Sequence, residues 1–221
     1  MITLEAFSEG ERKIIERDFV NSNIHTEGTL PSAYMETGNP ERVEYGALLR
    51  HPDYIAIPTE EFSMRISDIA PSLACPREDV HTGLVQYRGD EDKDIVLKKL
   101  KEATYKALGS LKSPRMTYER WYYNQDTVIV AGEINEAFVD IMNGIMSNYE
   151  GDGLRIKWGA QITANRFTEK RSPEELQEFF KLMKRAPELG LSRPTILDVI
   201  SQTISRYGST IEIYARFRIS P

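Results

Sequence analysis

The chain has 221 residues, 40% hydrophobic and 28% charged, a balance that fits a globular fold and leaves no apolar run long enough to cross a bilayer as a helix. Its formal net charge of -6 argues against coating nucleic acid by bulk charge, while local arginines and backbone N–H groups can still hold a few phosphates. One cysteine excludes an internal disulfide framework, and three histidines without clustered ligand spacing give no zinc site.

The first twenty residues lack the basic-then-apolar order of a secretory signal, so a reducing, cytoplasmic setting is expected. Ser8-x-x-Glu11 predicts a capping box opening a helix through Val20, with Ile14, Ile15 and Phe19 on one side. Residues 21–40 are rich in Asn, Ser, Thr, Gly and Pro and have no period, the chemistry of a long loop. Residues 1–50 therefore read as an N-terminal extension of helix plus long loop, and 51–221 as the domain after it.

Residues 54–58 (Tyr-Ile-Ala-Ile-Pro) predict a short strand stopped by proline, and 60–69 a helix with Phe62, Ile66 and Ile69 at helical spacing. A strand is expected at His81–Tyr87, then a helix over 92–108 that turns Ile95, Val96, Leu100 and Ala103 or Ala107 inward. Residues 118–123 and 127–132 predict a hairpin around Asn124-Gln125-Asp126. Asn135 is the expected cap of a helix striped by Phe138, Ile141, Met142, Ile145 and Met146. Gly151-Asp152-Gly153 reads as a loop before a strand, not as a nucleotide-binding glycine motif. Strands are then expected at 154–158 and 161–167. Ser172-Pro173-x-Glu175 combines cap, N1 proline and N3 glutamate, and Leu176, Phe179, Phe180 and Met183 form its helix's inner face. Strands at 195–200 and 211–219, around a loop through 207–209, close the chain. Hairpins mixed with helical connections predict an α+β fold of largely antiparallel sheets with helices on their outer faces.

Two strands carry the functional signal: His81-Thr82-Gly83-Leu84-Val85-Gln86-Tyr87 and Gln161-Ile162-Thr163-Ala164-Asn165-Arg166-Phe167. Each comes after a polar turn, precedes an amphipathic helix and opens on a residue able to hydrogen-bond an anion, as two halves of a duplicated phosphate site would. Residues i and i+2 of a strand share a face, so His81 with Gly83, and Gln161 with Thr163, would point as pairs into a cleft. The arrangement resembles the two-histidine (2H) phosphoesterase superfamily, the LigT-like proteins, which carry His-x-Thr/Ser motifs on equivalent strands. Thr163 and Arg166 match the second motif, with Gln161 where that family has histidine. His81 matches the first, with Gly83 where the family has threonine.

The resemblance, covering roughly residues 54–219, implies two pseudo-symmetric lobes of mainly antiparallel sheet with outer helices around a central cleft. It implies a hydrolase of 2′,3′-cyclic phosphates, ADP-ribose cyclic phosphate or 2′-5′ phosphodiester bonds. No metal and no organic cofactor is implied. The partner is then a nucleotide or short RNA with a cyclic or 2′-linked phosphate; neither a membrane nor a long nucleic-acid duplex is expected. In such a site one imidazole takes a proton from the attacking hydroxyl and another protonates the leaving oxygen. Hydroxyls, backbone N–H groups and an arginine hold the phosphate. His81 is thus the candidate base or acid. Gln161 occupies the second catalytic position but exchanges no proton near neutrality. Thr163, Arg166 and Arg88 are phosphate-contact candidates, and Tyr87, Trp158 and Tyr54 could stack a base. Gly83 lacks a hydroxyl contact and would leave room for a larger substrate. A replacement imidazole could come only from His25 or His51. Cys75, before Pro76 and without a nearby base, reads as inert. The chain is then a one-histidine phosphodiesterase, a binding module that kept the cleft and lost turnover, or an interaction domain that kept only the fold.

Overall fold

The computed structural model describes residues 1–20, 41–108, 113–169, 171–205 and 208–219. In chain order the elements are α1 (Leu4–Ile15), β1 (Glu41–Arg50), α2 (Asp53–Ile69), β2 (Ser72–Ala74), β3 (His81–Tyr87) and α3 (Lys93–Ala107). They continue with β4 (Met116–Tyr123), β5 (Thr127–Ile134), α4 (Glu136–Asn148), β6 (Leu154–Ile156), β7 (Gln161–Phe167), α5 (Pro173–Met183), β8 (Gly190–Ser192), β9 (Ile196–Ser205) and β10 (Gly208–Arg218). The strands sort into two five-stranded sheets, ordered β10-β9-β1-β3-β6 and β2-β7-β5-β4-β8, in which every pairing is antiparallel. The expected α+β architecture with outer helices is present.

Local chemistry explains the best-defined helices. Ser172 Oγ accepts from the Glu175 N–H while the Glu175 carboxylate accepts from the Ser172 N–H, closing the capping box of α5. The Asp92 side chain accepts from the Asp94 N–H at 2.9 Å and starts α3. In α1 the cap is Thr3, whose hydroxyl accepts from the Ala6 N–H, so Ser8, the expected cap, lies inside the helix. Asn135 does precede α4, but its side-chain oxygen accepts from the Arg115 N–H and makes no capping bond.

Burial decided several elements against local pattern. The strand expected at residues 54–58 is the first part of α2: Ile55, Ala56, Thr59, Phe62, Ser63 and Ile66 are buried at helical spacing, and that stripe runs through Pro58. Pro58, in the second turn, removes the intrahelical bond to the Tyr54 carbonyl and crowds that carbonyl, a cost the buried stripe offsets. In α3 Leu97, not Ile95, faces inward; Ile95 is exposed. Glu41–Arg50, expected within the helix-and-loop extension, is a strand paired with β9 on one side and β3 on the other. The loop expected over 21–40 lies outside the described residues. Strand β9 runs on to Ser205, past its expected end at residue 200, β10 begins earlier than expected, at Gly208, and β6 stops at Ile156.

Helices α3 and α4 cover the outer face of the first sheet through Val96, Leu97, Leu100, Phe138, Ile141, Met142 and Ile145. Helices α2 and α5 cover the second through Phe62, Ile66, Phe179 and Leu182 over Val128 and Phe167. Each large side chain so removed from water contributes roughly 1.5–3 kcal/mol before the entropy of ordering is counted.

Both signal strands carry the same irregularity. In β3 the register with β1 shifts between Ala47 and Leu48, leaving Leu84 as the extra residue; in β7 the register with β5 shifts between Val128 and Ile129, leaving Ala164 extra. Each bulge is the fourth residue of its strand and re-aims the side chains beyond it. His81, Gly83 and Gln86 thereby share one face, as do Gln161, Thr163 and Arg166. The flanking strands are exchanged: β2, just before β3, pairs with β7, and β6, just before β7, pairs with β3. The residue after each flanking strand donates its N–H to the bulged carbonyl, Cys75 to Ala164 at 2.9 Å and Lys157 to Leu84 at 3.0 Å. Gly46 is required by the first bulge, because a Cβ there would lie 2.4 Å from the Val85 oxygen.

Candidate functional site

The inner faces of the two sheets border a cavity of about 390 Å³ whose walls include His81, Asp79, Thr163, Arg166, Cys75, Gln202 and Ser209. Two of the predicted site positions on β7 and one on β3 are thus brought to one space. The motif strands are tied at their starts, the Thr82 hydroxyl donating to the Gln161 carbonyl at 3.4 Å. Gln161 lies on the same face as Thr163, one pleat away, and does not itself line this cavity.

His81 Nδ1 lies 2.6 Å from the Asp79 carbonyl. A carbonyl only accepts, so Nδ1 carries the proton and Nε2 keeps its lone pair, the tautomer a general base needs. Burial, chiefly, together with the charges of Lys157, Arg50 and Arg166 and against the opposing Asp79 hydrogen bond, lowers the His81 pKa to about 3. The imidazole is neutral at physiological pH and surrounded by three cations, an environment that favours a bound anion. Arg166 and the Gln161 and Thr163 side chains make no hydrogen bond among the described residues, so their donors are available to a ligand. Gln202 Nε2 donates to Ser209 Oγ at 2.7 Å on the opposite wall.

Arg50 is held in place by a buried carboxylate. Asp198, fully buried on β9, accepts from Arg50 Nε at 2.9 Å and from Arg216 Nε and Nη2 at 2.8 Å each. Arg50 also donates to the Glu78 carbonyl, next to the turn that carries His81. Burial pushes the Asp198 carboxyl up, but the hydrogen bonds and charges of Arg216 and Arg50 outweigh it and the net shift is downward.

The space expected at Gly83 is filled: a Cβ there would meet Lys157 Cδ at 2.6 Å, so the lysine stem occupies the volume a motif threonine would take. His51 is no substitute imidazole. It is buried, with Nδ1 2.8 Å from Ser192 Oγ and Nε2 3.0 Å from Thr82 Oγ1, within a polar cluster completed by Tyr118. His25 lies outside the described residues. Burial, chiefly, pushes the Cys75 thiol up to about 12, so it stays protonated.

The remaining candidates are not at the cavity wall. Tyr87 is buried, its ring near Tyr149 and its hydroxyl accepting from the Glu91 N–H. Trp158 stacks on Phe7 of α1 at 5.6 Å. Tyr54 is on a helix, not a strand, and its hydroxyl accepts from the Arg193 N–H at 3.3 Å. Arg88 comes just after β3 at an exposed position. Lys157, Arg50, Gln202 and Glu11 were not candidates from sequence; their places depend on tertiary approach, and only the polar residue just after each flanking strand gave a hint. Among the described residues no three His, Cys, Asp or Glu side chains converge as metal ligands would. Nor is any described helix long and apolar enough to cross a membrane.

No protein-family model matches the sequence, and no curated protein matches it. Solved structures match in fold. TT0787 of Thermus thermophilus superposes with a TM-score of 0.56 at 15% identity, over 80% of this chain and 97% of that one. E. coli LigT in apo form gives 0.54 at 12% identity, over 82% and 99%. E. coli LigT complexed with 3'-AMP gives 0.53 at 13% identity over the same shares. The chain has the LigT-like 2H phosphoesterase fold.

Proposed function

We propose that this chain is a one-histidine phosphodiesterase-like hydrolase acting on a nucleotide or RNA end that carries a cyclic or 2′-linked phosphate. The observation that carries it is the convergence of His81, in its base tautomer, with Thr163 and Arg166, whose side chains make no hydrogen bond among the described residues, at one cavity. His81 Nε2 takes a proton from the attacking hydroxyl or water. Arg166 and Thr163 hold the phosphoryl oxygens, the carboxamide of Gln161 meets the part of the ligand that extends one pleat beyond them, and Arg50 and Lys157 supply field without needing contact. LigT bound to 3'-AMP supports a nucleotide as ligand for this fold. A strained cyclic phosphate suits a site with one imidazole, since its leaving oxygen needs less help.

The substitution at Gln161 favours one rival, a module that binds the same ligands without turnover. Hydrolysis of a panel of 2′,3′-cyclic nucleotides and 2′-5′ linked oligoadenylates, wild type beside His81→Ala and Arg166→Ala, separates the two. Turnover abolished by His81→Ala supports the hydrolase. Arg166→Ala should weaken ligand binding by about tenfold to a hundredfold, the worth of a charged hydrogen bond. Binding without turnover gives the rival; neither signal refutes both.

A further inference from the structure

Helix α1 lies along the inner face of the second sheet, on the Gln161 side of the site. Phe7 is fully buried against Phe138 and Trp158, and the Ile2 backbone exchanges two hydrogen bonds with the Asn143 side chain. Glu11, one turn further along, accepts from the Ala160 N–H through Oε1 at 2.7 Å. Ala160 immediately precedes Gln161. Gln161 Oε1 and Glu11 Oε1 lie 3.3 and 3.6 Å from the position a Cβ on Gly159 would take, and hence within about 7 Å of each other. Glu11 Oε2 makes no hydrogen bond among the described residues and borders a second cavity, of about 660 Å³, between α1 and β4–β5.

We propose that Glu11 is the second acid–base group of this site, supplying the proton transfer that Gln161 cannot. The assignment rests on the hydrolase reading above. With these two oxygens within about 7 Å of each other, one ligand oxygen or one water can lie against both, so the carboxyl reaches a leaving oxygen beside Gln161 directly or through that water. Burial raises the Glu11 pKa to about 7, with Glu133 adding to the rise and the Ala160 hydrogen bond opposing it. The groups facing it are Glu133 of β5, Tyr118, Glu119, Arg120 and Tyr122 of β4, Arg12 of its own helix and Glu16 just after that helix. Its charge is felt at Tyr118, a member of the His51–Thr82 cluster beside both motif strands.

With a 2′,3′-cyclic phosphate, water attacks phosphorus as His81 Nε2 takes its proton. The new P–O bond forms while the bond to one ribose oxygen breaks, and the Glu11 carboxyl gives its proton to that oxygen. Glu11 leaves as carboxylate and His81 as imidazolium, and exchange with solvent restores both.

Glu11→Gln keeps an oxygen for the Ala160 N–H and removes only the titratable proton, so it separates proton transfer from docking of α1. The expected result is a fall in kcat on 2′,3′-cyclic nucleotides of about 10²–10⁴-fold, the usual worth of one acid–base partner. The Kd for inorganic phosphate should not change, and the pH–rate limb near 7 should vanish. Gln161→His in the Glu11→Gln background should restore turnover by returning an imidazole to the strand. Wild-type kcat and pH profile in Glu11→Gln, or no rescue by Gln161→His, overturns the assignment. Ligand binding without wild-type turnover also overturns it and leaves the phosphate site standing. Absence of both binding and turnover refutes the hydrolase reading itself.

Discussion

Asp198→Asn isolates the cost of the carboxylate beneath the site. Asp198 is fully buried and takes three hydrogen bonds of 2.8–2.9 Å from two guanidinium groups. Asparagine keeps the shape but turns an NH2 toward a cation and, among the described residues, leaves Arg50 with only the Asp79 carboxylate, at 4.0 Å, as counter-charge. Removing one partner from a buried pair costs about 3–5 kcal/mol. The Arg216 side chain is 48% exposed and can rehydrate, whereas that of Arg50 is 12% exposed and cannot. The lower end, about 3 kcal/mol, is therefore expected, a drop in Tm of roughly 6–12 °C for a chain of this length. The folded carboxyl titrates below its ordinary 3.8, so its stabilisation is present above that value and is lost as pH falls through the folded pKa. Urea unfolding of both proteins from pH 7 down to pH 3 and below should show a gap that narrows only in acid. A gap under about 1 kcal/mol at pH 7, or one that stays constant into acid, would refute the reasoning.

Phe7→Ala should cost about 3–5 kcal/mol of α1 docking and red-shift tryptophan emission as Trp158 loses its stacked ring; unchanged emission would count against the packing. Burial, with the His81 charge beside it, lowers the His51 pKa from 6.5 to about 3. The unfolded chain binds a proton that the folded one refuses, so this stability is complete above about pH 6.5 and declines as pH falls toward 3. His51→Gln should flatten the slope of stability against pH between 6 and 4; an equal slope in urea titrations would exclude His51 as its source. Ser172→Ala should cost about 1 kcal/mol by opening the α5 capping box, read as a shift in urea midpoint at constant m.

What could be read from sequence was what local chemistry determines. Strands β3 and β7 and helices α3 and α5 declare themselves through flanking turns and through Asp92 and Ser172, and the two motif strands could be matched residue by residue. Strand β1 could not. Ala47, Leu48 and Leu49 are buried in succession around the bulge, which erases the two-residue alternation that marks a strand. The α2 stripe is invisible inside residues 54–58, where alternating isoleucines and a proline imitate an edge strand; it emerges only when Phe62 and Ile66 are counted with them. Three-residue strands such as β2 and β8 have no period to detect. Arg166 illustrates the limit at the site. Strict alternation puts it on the face opposite Thr163, and only the bulge at Ala164 brings it back. Lys157, Arg50 and Glu11 act from elements remote in sequence, so no local pattern marks them.

The exchanged flanking strands also govern how the chain reaches this shape. Along the described strands from β1 to β10, the backbone passes from one sheet to the other six times. No single cut separates the lobes, so split halves should not be autonomous folding units, despite the pseudo-symmetry of the motifs. The first sheet also waits for β9, which inserts between β1 and β10 near the end of the chain, so β1 keeps an unpaired edge until then. Contacts of such sequence separation make for slow folding, on the millisecond-to-second scale, with edges open to misassembly during synthesis. A site that looks like a gene-level duplication is thus, in the finished molecule, one indivisible kinetic unit.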